Sequence, residues 1–356
     1  MSETHKVTLD DGTEASYTIR GLTEQEIQPW AEFCASVFSY KASPPPPYYF
    51  HRHFSNDPDR DASLIRVAVC GTDIVASCRV FLRTVSTGNG GSIQAGGIGE
   101  VCTSDSHRRR GLSKVLLENA IRIMNHRKLQ LSLLHAAPAF FPVYQKTGGY
   151  ACTTSHWSTV SILSSQLKED ADSNVVVRAA QFPNDTGRLA MLHQAYSTDR
   201  FAGCIVRTHA YWNEYLSREL QGSLWVLINK DGLLVAWLSI RPRGGRYQLR
   251  EFGVDREQIG TTDAHSQLLK YAVAQEEGNV AMITSEGTWD LALPTAVLDE
   301  IRPDKAKASF INWSTEASED DLGWMYKTLE QGQVDMNTII TKDKDTPHLI
   351  WPADSF

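Results

Sequence analysis

Asp105-Ser106-His107-Arg108-Arg109-Arg110-Gly111-Leu112-Ser113-Lys114 stands between two runs of different period. Before it, Ile93 to Thr103 reads as a strand. After it, Leu112, Val115, Leu116, Ala120 and Ile123 recur on one face of a helix that extends to about His126. The stretch is therefore a strand-to-helix junction with three arginines and a glycine. At such a junction successive backbone N–H groups point into one space, and the helix dipole adds partial positive charge. Arginines on the same turn supply charge-assisted hydrogen bonds to phosphate oxygens. These residue types suit a pyrophosphate, and they equally suit a solvated basic turn that only caps the helix. G-x-x-x-x-G-K-[ST] is absent, and Gly97-Ile98-Gly99 lies inside the strand rather than at its junction with the helix, so neither common phosphate motif fits.

Upstream, Val7 to Arg20 reads as a strand. Thr23 with Glu26 forms a capping box, Pro29 suits a first helical turn, and Trp30, Phe33, Cys34, Val37 and Phe38 keep helical spacing. The helix stops before Ser43 and Pro44-Pro45-Pro46-Pro47. Pro44 to Asp61 reads as a long loop with Tyr48, Tyr49, His51 and His53, either plain surface or one wall of a substrate site. Leu64 to Cys70 and Ile74 to Val85 form a hairpin, and Gly88-Asn89-Gly90-Gly91 turns into the strand at Ile93. Downstream come a strand at Leu129 to Leu134, a short helix or turn at Phe140 to Tyr144, and a strand from Tyr150 to Leu163.

The order strand, turn, strand, turn, strand, helix, strand then recurs. Its elements are Leu224 to Asn229, Leu233 to Ile240, Tyr247 to Val254, Ala264 to Glu277 and Val280 to Thr284, which suggests a duplicated α/β unit. The linker falls at Lys168 to Asn174. Residues 290 to 356 are too few for a third ordinary domain, and Glu316 to Asp321 reads as the cap of a helix starting near Leu322.

Composition narrows the class. The chain has 356 residues, 42% hydrophobic and 22% charged, which fits about two domains of roughly 150 residues each. No run of about 18 apolar residues is present, and the N-terminus lacks the apolar core of a signal peptide. A soluble, cytoplasmic protein with no membrane partner is expected. The net charge of −7 disfavours nucleic acid and is compatible with a cationic substrate. Cys34, Cys70, Cys78, Cys102, Cys152 and Cys204 are scattered without a C-x-x-C pair, so no metal site and reduced thiols are expected.

Arg108-x-x-Gly111-x-Ser113 at a strand–helix junction resembles the acetyl-CoA signature [QR]-x-x-G-x-[GA] of the GNAT N-acetyltransferase superfamily, with Ser113 in place of Gly or Ala. Pro138 to Tyr144, followed by Gly148-Gly149-Tyr150, looks like the GNAT motif in which a tyrosine precedes G-[FY]. His107 to Leu112 and Leu134-His135-Ala136-Ala137 are similar to Eis-type acetyltransferases, which carry two GNAT-like units, the second without the CoA signature. The tail closing in Trp351-Pro352-Ala353-Asp354-Ser355-Phe356 looks more like the fungal lysine N6-acetyltransferase family.

The resemblance implies an α/β (α+β) fold of tandem GNAT-like units, each a mixed central sheet flanked by helices, the second degenerate. Its domains would be a CoA-binding domain (1–167), a degenerate unit (175–290) and a tail packing on the acceptor site (291–356). It implies acetyl-CoA as cosubstrate and a small-molecule primary amine as acceptor, foremost the N6 amine of L-lysine in amino-acid degradation. A polyamine, an aminoglycoside, a protein lysine or a non-catalytic acyl-CoA sensor are the alternatives; the oligomeric state is open. By the same resemblance, Val101, Cys102 and Thr103 would hold the pantetheine and acetyl group. Arg108, Arg109, Arg110, Gly111, Leu112, Ser113 and Lys114 would form the pyrophosphate turn. Tyr144 would protonate the CoA thiolate, and the terminal carboxylate of Phe356 would enter the site. Read as residues alone, Tyr144 also suits a packed aromatic beside Phe140 and Phe141, and Cys102 a small buried hydrophobe. Glu100 is either a base or a half-exposed strand residue, and Glu251 of the second unit reads as structural.

Overall fold

The computed structural model describes residues 2–9, 11–41, 43–163, 175–275, 288–301, 313–321, 323–330 and 347–354. The first half contains β1 (Glu3–Thr8), β2 (Glu14–Gly21), α1 (Ile27–Val37), α2 (Pro47–Ser55), β3 (Ile65–Cys70), β4 (Asp73–Gly88), β5 (Gly91–Thr103), α3 (Leu112–His126), β6 (Leu131–His135), α4 (Phe141–Gly148) and β7 (Ala151–Cys152). There follow β8 (Ser155–Leu163), β9 (Val176–Ala179), α5 (Thr186–His193), β10 (Ala202–Ile205), α6 (Ser217–Glu219), β11 (Leu224–Ile228), β12 (Leu234–Arg243), β13 (Arg246–Val254) and α7 (Thr261–Gln275). The last are β14 (Thr288–Pro294), α8 (Thr295–Ile301), β15 (Trp313–Asp321) and β16 (Trp324–Thr328).

Two mixed sheets result. The first runs β1-β2-β3-β4-β5-β6-β16-β7, with β10 also paired to β4; the second runs β15-β8-β14-β13-β12-β11-β9. Each has one parallel pair at its centre, β5 with β6 and β13 with β14, and antiparallel neighbours elsewhere. The strand–strand–strand–helix–strand order of β3 to β6 recurs in β11 to β14, so the molecule is α+β and built from tandem units of one pattern. The units also exchange strands. β8 follows the first unit in sequence but pairs with β14, whereas β16 from the C-terminal segment enters the first sheet between β6 and β7.

Helices α3 and α4 cover one face of the first sheet over Ile98, Leu116, Leu117, Leu134 and Tyr150. Helices α1 and α2 cover part of the other face through Trp30, Cys34, Phe50 and Phe54. The second unit completes that face: Val85, Ala95, Leu131 and Leu133 share one core with Trp212, Trp237, Phe252 and Trp351.

Several sequence expectations need correction. Val7 to Arg20 is not one strand, because Gly12 at φ +81° turns β1 back onto β2. Pro44 to Asp61 is not a loop throughout: Pro47 occupies the first position of α2, where its fixed φ suits a helix start, and Phe50, His53 and Phe54 form the buried face. Tyr150 to Leu163 breaks between β7 and β8, which belong to different sheets. Glu316 to Asp321 lies in β15, an edge strand, and caps no helix; the chain returns as β16. The linker at 168–174 and the strand expected at 280–284 lie outside the described residues.

Candidate active site

The site is organised by a defect in β5. Across the β4–β5 ladder, Ser77 faces Cys102 and Arg79 faces Gly99, so Glu100 and Val101 together oppose the single residue Cys78. Glu100 adopts φ +52°, a left-handed conformation uncommon for a residue with a Cβ. The extra residue flips the strand's parity. Ile98 points at the α3 face, and strict alternation would put Glu100 beside it, yet Glu100 meets His53 of α2 on the opposite face. On the other side of β5, parallel pairing with β6 ends at Ile98 opposite Leu134, and β6 pairs onward with β16. Residues 99–103 therefore have a strand partner on one side only, and a wedge opens between β5 and β6.

At the end of this wedge lies the arginine turn. Arg109 (φ +61°) and Gly111 (φ +73°) both take left-handed backbone conformations just before α3. Such a turn turns backbone N–H groups into a concavity, and the first N–H groups of α3 lack helical partners. Leu112 is buried and anchors the helix start, while Ser113 shares a 3.2 Å hydroxyl contact with Thr103 of β5. The three arginines differ in employment. Arg110 donates to the Tyr17 hydroxyl (2.5 Å) and to the Ser106 carbonyl (2.7 Å), so its side chain holds the turn in shape. Arg108 pairs with Asp105 at 2.6 Å on the surface, and exposed Lys114 lies 3.9 Å from Glu118. Arg109 makes no hydrogen bond or ion pair among the described residues and is the guanidinium at liberty to meet an anion. The equivalent junction of the second unit, Glu257 to Thr261, carries no left-handed residue and no arginine.

Tyr144 sits on α4, half-buried, its ring edge-on to Tyr150 at 6.2 Å. Burial, with a smaller contribution from the Cys78 thiol in the bulge, pushes its hydroxyl above the ordinary tyrosine range, so it keeps its proton at neutral pH. Val101 packs partly buried in the same cluster as Tyr144 and Cys78. Cys102 is buried against α1, its sulfur 3.9 Å from that of Cys34.

Glu100 is not a half-exposed strand residue: its side chain is 5% exposed and both oxygens are engaged. Oε1 lies 3.0 Å from His53 Nδ1, and Arg79 donates to Oε2 at 3.4 Å. On its far side His53 Nε2 lies 2.9 Å from the Tyr215 hydroxyl, contributed by the second unit. Arg79 and Arg83 also clamp buried Asp57 at 3.1–3.2 Å. Burial pushes the Asp57 carboxyl up, but Arg83 and Arg79 outweigh it and hold the group below the usual carboxylate range. From sequence, His53 was named only as part of a segment that could wall a substrate site, and Asp57, Arg79, Arg83 and Tyr215 were given no role. Their partners lie 21 to 162 positions away, and no local spacing signals them.

A second buried network ties the C-terminal segment to this region. Arg207 donates to Asp354 at 3.0 and 2.8 Å and to Glu251 at 2.5 Å, with no exposed side-chain surface on any of the three. Glu251 is thus enclosed in a buried ion cluster. Phe356 lies outside the described residues. Among the described residues no helix is long and apolar enough to cross a membrane, and no group of three metal-ligating side chains comes together.

Residues 18–152 match the family model of the acetyltransferase (GNAT) domain. An uncharacterized N-acetyltransferase of Streptomyces griseus is 26% identical over 212 residues, covering 56% of this chain and 47% of that protein. The chain spans about half the length of the curated relatives it matches. Among solved structures, a probable N-acyltransferase from Enterococcus faecalis V583 has a TM-score of 0.62 at 11% identity, covering 93% of this chain and 74% of that one. Eis1 from Mycobacterium abscessus has a TM-score of 0.54 at 11% identity, covering 88% and 74%. The class of domain matched is therefore the GNAT acetyltransferase domain, over residues 18–152. The matched stretch lies in the first of two GNAT-like units, in a fold similar to that of Eis1, and a GNAT domain implies an acyl-CoA cosubstrate.

Proposed function

We propose that this chain transfers the acetyl group of acetyl-CoA to a primary amine, with the N6 amine of free L-lysine as acceptor. The observation that carries the transfer is the meeting, around one end of β5, of a left-handed turn at a helix start, a one-sided strand and a proton-bearing tyrosine. The choice of lysine rests on the resemblance of the C-terminal tail, Trp351 to Phe356, to that of the fungal lysine N6-acetyltransferases.

In this reading the backbone of residues 109–114 and the Arg109 side chain hold the pyrophosphate. Val101, Cys102 and Thr103 offer backbone groups to the pantetheine and acetyl group. A lysine ε-amine with a pKa of about 10.4 must lose a proton before attack. Glu100 takes it, with His53 and Tyr215 continuing the path behind. Tyr144 gives its proton to the departing thiolate. A non-catalytic acyl-CoA sensor would need the turn and the wedge but no such hydroxyl.

Gly111→Val tests the cofactor half. A Cβ at Gly111 would meet only His5 at 3.7 Å, so space is not the obstacle. A β-branched residue at φ +73° is strained and rotates the N–H groups of the turn away. Calorimetry should give one CoA per chain for the wild type and an affinity lower by at least about tenfold for the variant. Two equivalent sites, or unchanged affinity in a folded Gly111→Val protein, would refute the assignment.

A further inference from the structure

One turn of helix beyond Tyr215, the side of the site facing the second unit becomes strongly cationic. Tyr215 and Glu219 are four residues apart and so share a helix face; Tyr215 meets His53 and Glu219 lies 3.6 Å from Arg52, both on α2. Arg250 on β13 donates to Glu219 through its side chain (2.7 Å) and to the Glu219 carbonyl (3.1 Å). Its side chain is only 7% exposed, and its Nε is buried with no hydrogen-bond partner. Arg241 on β12 follows, with Nε and one terminal nitrogen donating to a single neutral acceptor, Gln248 Oε1, at 3.1 and 3.0 Å. Arg243 shares that same oxygen at 3.2 Å, and its charge adds to those that lower the Asp321 carboxyl.

Arg52 and Arg250 thus share the one carboxylate of Glu219, while Arg241 feels its charge without a direct contact. Burial, with repulsion from Arg250 and Arg243, pushes the Arg241 guanidinium down to about 10. Half-buried Arg241 has the neutral Gln248 oxygen as its only hydrogen-bond acceptor among the described residues. The cluster also adjoins the acceptor side of the bulge: Glu100 and Glu219 raise the Tyr49 hydroxyl after burial, Arg52 and Arg241 oppose them, and Tyr49 stacks on His53 at 5.6 Å.

We infer that Arg241 and Arg250 form a carboxylate site for the acceptor, so that the substrate is an amine that also carries a carboxylate, such as a free amino acid, and not a polyamine or an aminoglycoside. This rests on the acetyltransferase reading and adds to it. An ammonium beside Glu100 and a carboxylate beside Arg241 would hold a zwitterionic chain at both ends. Two charges fixed at a set spacing select for length as well as for charge.

The test compares L-lysine, L-lysinamide and cadaverine as acceptors in the wild type, Arg241→Gln and Arg241→Lys. The same three compounds are also titrated calorimetrically into CoA-saturated protein. Lysine should exceed the other two by at least about tenfold in kcat/KM and in affinity, the scale of a hydrogen bond to a charged group. The gap should close in Arg241→Gln and partly reopen in Arg241→Lys, with CoA affinity unmoved. Equal behaviour of the three compounds in the wild type, no binding of any, or a gap that survives Arg241→Gln overturns the inference. So does a loss in Arg241→Gln that falls on CoA instead, since the cluster would then serve a CoA phosphate. Carboxylate-dependent binding without acetyl transfer would keep the site and remove the acetyltransferase reading.

Discussion

Tyr144→Phe should lower kcat by about 10²–10⁴-fold while CoA affinity stays nearly intact, because it deletes a proton donor that acts only as the thiolate departs. The substitution removes one oxygen and leaves the ring. The edge-on contact with Tyr150 and the packing on the core beneath α3 and α4 need only that ring, so folding is not at stake. Burial keeps the Tyr144 hydroxyl protonated well beyond neutral pH, so the loss should be the same across the neutral range. Steady-state rates measured beside CoA titrations separate the two effects. An unchanged kcat would make Tyr144 a packing residue; a parallel loss of CoA affinity would make it a binding one.

Arg207→Met should destabilise the fold by about 3–5 kcal/mol, the usual cost of removing one partner from a buried ion cluster. The variant strands Asp354 and Glu251 as two carboxylates without a cation in a core of Trp212, Trp237 and Trp351. Glu251→Gln should act the other way above neutral pH. Burial, then the Asp354 charge, raises Glu251 to about 7 against the pull of Arg207. Between its unfolded value of 4.5 and about 7 the folded state holds a proton that the unfolded state has lost, so this group's contribution to stability falls as pH rises. Its Oε1 is unpartnered, 3.8 Å from a His193 nitrogen that accepts from Arg207. A neutral amide removes the surplus charge. Urea midpoints at pH 5 and pH 8, at constant m-value, measure both variants. An Arg207→Met protein as stable as wild type would mean that the C-terminal segment is held by its apolar contacts alone.

The parts legible from sequence were those written in local periodicity. Helix α3 runs from Leu112 to His126 as its apolar spacing required, and the turn before it carries the two left-handed residues that its glycine advertised. Helix α2 was hidden by four prolines that read as a breaker, although the last of them starts it. Strand β15 was misread because its charged Glu316-Ala317-Ser318-Glu319-Asp320-Asp321 lacks the apolar alternation of a half-buried strand; charge is tolerated on the sheet edge that it occupies. The pairing of His135 with Trp324 places β16 in the first sheet across almost two hundred residues, and no local pattern encodes such a partner. The site divides in the same way. The turn and Tyr144 were visible as short motifs, whereas the Glu100–His53–Tyr215 path exists only once α2 and the second unit fold against the bulge.

The most direct measurement incubates the protein with acetyl-CoA and, in separate reactions, L-lysine, a polyamine, an aminoglycoside and a lysine-containing protein, following free thiol and identifying the acetylated product by mass. Thiol release matched mole for mole by acetyl-lysine modified at N6, and abolished in Tyr144→Phe, is the predicted result. Bound CoA with no turnover of any amine, or thiol release without an acetylated amine, would contradict it.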